Sequence, residues 1–394
     1  MRLKMPEKNL LVISNNFPNQ DNSYVADIFV KEQIKYLKNY FDKVYVISPV
    51  AYGMERVRKT KHHDYQYDNV SVFFPKYFNL PFFYSKLRKH WITLETHAIN
   101  NAIKRNKLSF DLIHAHFTWP SGAVAVKLKE KFNVPVIITE HTHITLYDEL
   151  AHGDQTYINT WNSCDAIIRV NKKDIPLFLN AGIPESKLFP IANGYDPKKY
   201  FPVPASVARN TLGIDTENKV ILHISRLSEE KGQQYLIEAM GSILKKRPDI
   251  ICYIGGTGPL KDTLQAHIDA IKGNKNIRMI GFVPDDLMVT WINAADFFVL
   301  PSLGEGNPTV MFETLGCGKP FVSTKVGGVP EIITSEAYGL LVDPADPKDL
   351  EEKILMALDR KWDQEAILTY AAQYTWENIA KEIAGVYERF LRSP

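Results

Sequence analysis

Two carboxylates, Glu305 and Glu313, stand on either side of a turn broken by Gly304, Gly306 and Pro308, with seven residues between them. Ahead of the turn, the apolar run Phe297–Leu300 reads as a buried parallel strand. Behind it, from Thr309 to Gly316, the pattern turns helical, with Asn307 or Thr309 as the expected cap. A helix opening on such a loop presents free backbone N–H groups, and phosphate is the usual guest. Two acids beside an anion site call for a ligand that also carries hydroxyls. A nucleotide-diphospho sugar offers phosphates, a ribose and a hexose. A single loop Glu is ordinarily a solvated charge; a pair around this turn weakens that reading, and spacing alone leaves it open.

Other residues supply the charges such a ligand needs. The strand Val220–Ile224 runs into Ser225 and Arg226, and Lys231 and Gly232 close the loop. The Arg fork and the Lys point charge can converge on one diphosphate, although a loop Arg and Lys are usually solvated. The glycines Gly255, Gly256 and Gly258 follow the strand Ile250–Ile254 without the spacing of a dinucleotide fingerprint, and read better as a close-approach loop for a nucleotide. Asp111–His116 reads as a strand ending in His114 and His116. No third ligand stands at useful spacing, so no metal is expected there. His141, with His143 as second candidate, follows the strand from Val134 to Thr139, at the strand end where open α/β sheets hold ligands. Asn15 and Asn16 occupy the corresponding place after the strand Leu10–Ser14.

Strand–helix–strand alternation must position these groups, and it occurs twice. Strands at 10–14 and 44–47, with a helix over 28–37 between them, open an α/β domain with a parallel sheet. The alternation restarts at Val220. A chain of 394 residues is long for one core. Pro197, Pro202 and Pro204 make a stiff linker, which places a boundary near residue 200, with domains 1–200 and 201–375. Residues 50–92 read as irregular, rich in aromatic and basic side chains.

At 45% hydrophobic and 23% charged, the chain is an ordinary globular protein. Its net charge of +2 hides an asymmetry: residues 1–200 hold 27 Lys and Arg against 19 Asp and Glu, residues 201–394 hold 20 against 26. The halves are expected to meet different partners, none of them a nucleic acid. Cys164, Cys252 and Cys317 are far apart and fit no disulfide or metal spacing, which points to a reducing, cytoplasmic compartment and to small core residues. The basic start has no signal-peptide apolar region, and no apolar run approaches the ~18 residues of a membrane span.

The run Glu305, seven residues, Glu313, then Gly316-Cys317-Gly318-Lys319-Pro320 and Gly327-Gly328-Val329-Pro330-Glu331, resembles the acid-x7-acid signature of the large retaining glycosyltransferase family 4. Thr314 and Cys317 depart mildly from its pattern and leave the acids intact. Ser225-Arg226-Leu227 with Lys231-Gly232, Asn193-Gly194-Tyr195-Asp196 and the strand before His141 resemble further family segments in the expected order. The resemblance implies a GT-B fold, two doubly wound Rossmann-like domains facing across a cleft, with the helix 376–394 crossing back to the first domain. It implies retaining hexosyl transfer from a UDP- or GDP-sugar without metal or other cofactor. Arg226 and Lys231 would hold the leaving diphosphate, Glu305 the sugar hydroxyls, Glu313 the ribose, and His141 the sugar. Gly306, Asn307, Pro308, Thr309, Val310, Gly256 and Val283 would line the donor site; Asn15 and Asn16, where the family usually has glycines, would form an acceptor-side loop. A nucleotide-sugar epimerase of the same fold, or a silent binder of nucleotide sugars, are the alternatives. The acceptor would be a glycan or lipid-linked. Seven aromatics and four Lys or Arg in 72–90, with Arg56, Arg58, Lys59 and Lys61 upstream, suggest peripheral contact of residues 56–90 with an anionic, cytoplasmic membrane face; packing of those aromatics into the core is the competing reading.

Overall fold

The computed structural model describes residues 7–58, 60–79, 87–142, 144–151, 155–271 and 274–391. Two compact units emerge: residues 1–192 with 376–394, and residues 193–375.

In the first unit an eight-stranded sheet is built from β1 (Asn9–Ile13), β2 (Lys43–Ile47), β4 (Tyr65–Tyr67), β5 (Val70–Phe73), β7 (Leu112–His116), β8 (Val136–Glu140), β9 (Ala166–Arg169) and β10 (Leu188–Pro190). Its order is β10-β9-β8-β7-β1-β2-β5-β4, parallel except for the β4–β5 edge. Alternation explains why β1 is central: Leu10 and Val12 enter one core, Leu11 and Ile13 the other, and all four are fully buried. The first core is closed by the helices Ile28–Leu37 and Trp376–Leu391, the second by Arg88–Arg105 and Ala123–Phe132.

The stretch 50–92 is not irregular. It holds β4 and β5, a two-stranded parallel ribbon of β3 (Val50–Ala51) and β6 (Lys76–Tyr77), and the start of the helix Arg88–Arg105. Val70 and Val72 point into one core and Phe73 packs against the other, a half-buried strand obscured by the basic residues around it. Phe74 and Tyr77 are buried and Phe78 is exposed. Lys59 and residues 80–86 lie outside the described residues, as does His143.

The second unit has one six-stranded parallel sheet of β11 (Lys219–Ile224), β12 (Ile250–Gly255), β13 (Ile277–Gly281), β14 (Phe297–Leu300), β15 (Phe321–Thr324) and β16 (Gly339–Val342), in the order β13-β12-β11-β14-β15-β16. The order reverses between β11 and β14, so the loops after those two strands leave side by side. The proline-rich residues 193–204 pack within this unit: Tyr195 lies against Gly316, Tyr200 is buried, and the Val203 N–H donates to Asn293 Oδ1 at 2.8 Å. All three cysteines are buried thiols that burial pushes up to about 12.

Candidate functional site

The β11 loop carries Arg226 and Lys231, and the β14 loop carries Glu305 and Asn307. Three contacts join them. Leu303 N–H donates to the Glu230 carbonyl at 2.7 Å. Gly232, at φ +65°, passes so close to the end of β14 that a Cβ would lie 2.0 Å from the Pro301 carbonyl. Lys231 Nζ then reaches Glu305 Oε1 at 2.8 Å, and Ser302 Oγ donates to the same oxygen at 2.6 Å. Glu305 is buried, and Gly327, at φ +50°, backs its carbonyl with no room for a side chain. The acid expected to hold sugar and the base expected to hold phosphate thus pair with each other.

Helix Thr309–Gly316 begins where expected, but neither Asn307 nor Thr309 caps it. Pro308 takes the cap position and no side chain bonds the first turn. The Asn307 side chain is engaged elsewhere: its Oδ1 accepts from the Asn193 N–H at 2.9 Å, and its carbonyl accepts from Asn193 Nδ2 at 2.7 Å. Asn307 Nδ2 is buried without a hydrogen-bond partner among the described residues. The first turn has no acidic residue, and Met311 N–H donates to the Pro308 carbonyl at 3.2 Å, which leaves a helix start whose dipole suits an anion. Glu313 sits half-buried one turn in, beyond Val310.

Arg226 is exposed and has no ion-pair partner among the described residues. A relay fixes its loop. Gln233 Nε2 donates to Ser225 Oγ at 2.9 Å and to the Arg226 carbonyl at 2.8 Å. Ser225 Oγ donates to His223 Nε2 at 2.8 Å, because His223 Nδ1 gives its proton to the Val299 carbonyl at 2.9 Å. Burial pushes His223 down to about 4, which keeps this arrangement neutral. The glycines after β12 admit backbone, and the backbone they admit is that of this loop: a Cβ on Gly256 would lie 1.8 Å from the Ser225 carbonyl, and one on Gly258 2.2 Å from the Leu227 carbonyl. Val283 is buried beside Gly255, next to exposed Phe282.

In the first unit, β8 delivers His141. Its Nε2 and His116 Nδ1 share a hydrogen bond of 3.0 Å, and the rings stack at 5.3 Å. Burial holds both imidazoles well below their ordinary range, so both are neutral. His141 Nδ1 is left without a hydrogen-bond partner among the described residues. The preceding Glu140 is wholly engaged: Oε2 accepts from the Thr118 N–H, and Oε1 from the N–H and hydroxyl of Thr142. His114 is likewise structural, bonded to Thr139 and Tyr387. Asn15 accepts from Ser121 Oγ at 2.5 Å and donates to Glu95 at 2.9 Å; Asn16 accepts from the Tyr24 hydroxyl. Sequence reasoning gave no site role to Ser302, Gln233 and Asn193, and weighed His116 only as a metal ligand. Asn193 stood only in a segment that resembles the family, since its partner lies 114 residues away.

Comparison with known proteins agrees with this geometry. Residues 206–374 match the family "Glycosyl transferases group 1", and residues 26–199 match "Glycosyltransferase Family 4". An uncharacterized glycosyltransferase of Methanocaldococcus jannaschii is 31% identical over 71% of this chain and 75% of its own. The D-inositol 3-phosphate glycosyltransferase of Corynebacterium urealyticum is 27% identical over 74% of each chain. The crystal structure of Anabaena HepE with UDP and glucose superposes with a TM-score of 0.72 at 20% identity, over 97% of this chain and 100% of that one, which shows the same fold, GT-B with two Rossmann-like domains. With both halves matched and the paired acids at the β11/β14 switch point, the chain belongs to the group 1 glycosyltransferases of family 4.

Proposed function

We propose that the protein is a retaining, metal-independent hexosyltransferase using a UDP- or GDP-sugar. The observation that carries this is the Lys231–Glu305 pair beside an uncapped helix start, with the unpartnered Asn307 Nδ2 in the same loop. On donor binding Lys231 turns to the diphosphate with Arg226, and Glu305 is released to the sugar hydroxyls. Charge growing on the leaving diphosphate is then met by Arg226, Lys231 and the first-turn N–H groups of the helix. Glu313 takes the ribose, and His141 offers Nδ1 to the sugar. The second unit is thus the donor side and the first the acceptor side. No side chain in the β11 and β14 loops is a free nucleophile, which favours reaction on one face of the sugar through an oxocarbenium-like state. The acceptor is a hydroxyl of a glycan or lipid-linked glycan, met at the cytoplasmic membrane face. Epimerase chemistry would need further acid/base carboxylates in the first unit, and Glu140, at the end of β8, is fully engaged by backbone and hydroxyl donors.

The UDP bound to HepE makes a uridine nucleotide the first to try. Thermal shift against UDP, GDP, ADP and their sugars tests the reading. A ligand at 100 times its dissociation constant adds about 2.7 kcal/mol, so one nucleotide should stand apart. With that donor alone slow hydrolysis is expected, undiminished by EDTA. No shift with any nucleotide, an isomerised donor, or loss in EDTA restored by magnesium or manganese each overturns part of it.

A further inference from the structure

A cavity of about 690 Å³ opens in the first unit, where β1 and β7 end side by side and the strand order of the eight-stranded sheet reverses. This volume suits a small ligand. Tyr77, Trp91, Trp119 and Tyr157 form its walls, and Tyr52 and Val57 stand exposed at its rim. Trp91 and Trp119 meet edge to face with centroids 5.8 Å apart. The polar groups are the amides of Asn15, Asn16 and Asn79 and the hydroxyls of threonines and tyrosines, and among the described residues no Lys, Arg, His, Asp or Glu lines the cavity. The neighbouring cation is committed elsewhere: Arg88 lies 5.3 Å from the Trp119 ring and forms a two-pronged bond to Glu149 at 2.8 and 2.6 Å. Two lining atoms are buried without a partner among the described residues, the acceptor Asn79 Oδ1 and the donor Trp119 Nε1. Behind the wall, fully buried Glu95 accepts from Asn15 Nδ2 at 2.9 Å and from Trp91 Nε1 at 2.7 Å, so one carboxyl holds an amide and an indole in place.

An anion brought into this cavity would lose its hydration with no cation among the described lining residues to replace it. An uncharged sugar ring fits on both counts. Its C–H faces lie on the indole and phenol rings, and its hydroxyls answer the amides and the orphaned donor and acceptor. We infer that the cavity binds an uncharged glycosyl group of the acceptor, and that Glu95 is a positioning residue for it. The inference rests on the transferase reading for the word acceptor, but the binding itself does not depend on turnover.

Tryptophan-fluorescence titration of the full chain with methyl and octyl hexosides, against the same hexoses as 6-phosphates, tests it, together with transfer assays on both sets. Thr145→Trp plugs the mouth from an exposed position, and Trp119→Ala removes a wall. Each should weaken hexoside binding, and raise acceptor KM, by about tenfold or more, with the nucleotide-induced thermal shift retained as the sign of an intact fold. Glu95→Gln should keep binding better than Glu95→Ala. Preference for the phosphorylated sugars, or unchanged hexoside binding in both Thr145→Trp and Trp119→Ala, overturns the inference. Hexoside binding that is lost in Thr145→Trp, in a protein that turns over no nucleotide sugar, upholds the cavity and sinks the transferase reading instead.

Discussion

Glu305 and Glu313 are the same residue type at one loop, yet their surroundings differ. Glu305 is buried and paired with Lys231, while Glu313 is half-buried beyond the helix start. We expect Glu313→Ala to lose nucleotide affinity by about tenfold or more, the worth of a hydrogen bond to a charged group. Glu305→Ala should keep free-nucleotide affinity, or gain slightly by freeing Lys231, and lose turnover. Calorimetric titration of the nucleotide beside a turnover assay decides it; equal loss of nucleotide affinity in both variants would remove this division of roles. The acids were legible because a strand, a glycine-broken turn and a helix lie contiguous in sequence. Lys231, the ion-pair partner of Glu305, was legible only as a phosphate ligand. A sequence shows which charges approach a ligand, and says little about how they satisfy one another without it. The cap failed for a related reason: Asn307 has good capping chemistry, but a backbone N–H on a distant segment competes for its oxygen.

At the scale of elements, the helix Arg88–Arg105 places Trp91 and Glu95 one turn apart, which lets the indole donate to the carboxyl. Burial pushes Glu95 up to about 7, opposed by the bonds from Asn15 and Trp91. Tyr77 faces the same carboxyl, and burial raises its phenol so that it stays neutral across this range. Between about 4.5 and 7 the folded chain therefore keeps a proton that the unfolded chain has released. Stability should fall as pH rises through that window, by up to about 3 kcal/mol, and level off above it. Urea unfolding of the wild type and Glu95→Gln at pH 5, 6 and 8 checks the sign. The variant should lack this component, and a wild type that gains stability relative to it on going up in pH would contradict the burial argument. The helix Ile28–Leu37 was legible to the residue through its apolar spacing, and the strand Phe297–Leu300 through an unbroken apolar run. The strands β4 and β5 were not, since three or four residues carry too little alternation to outweigh the aromatic and basic composition around them.

For the whole molecule, the basic surplus of the first half is partly neutralised. Lys76 pairs with Glu55 at 2.6 Å and Arg88 with Glu149. Arg56, Lys61 and Lys89 are exposed, and Phe74 and Tyr77, counted among the membrane-facing aromatics, are core. Peripheral membrane contact is therefore proposed through Arg56, Lys61 and Lys89 near exposed Tyr52, Val57 and Phe78. No helix among the described residues is long and apolar enough to cross a membrane. Co-sedimentation with anionic vesicles should fall with salt and fall again on charge reversal of those three bases, at about 1 kcal/mol each. No sedimentation at low salt would favour a soluble acceptor. The two α/β halves were legible because the alternation repeats; the return of the last helix to the first unit was legible only through the family resemblance. That helix has a consequence for how the protein comes into being. Trp376, Ile379, Ile383 and Tyr387 are built into the core behind β1 and β2, and Tyr387 reaches His114 on β7. Domains ordinarily finish in the order they leave the ribosome. Here the ribosome must pass the whole of residues 193–375 before it makes the piece that closes the first core, so the unit begun first is completed last, and a nascent chain halted near residue 375 would carry a finished second unit and an open, apolar-faced first one.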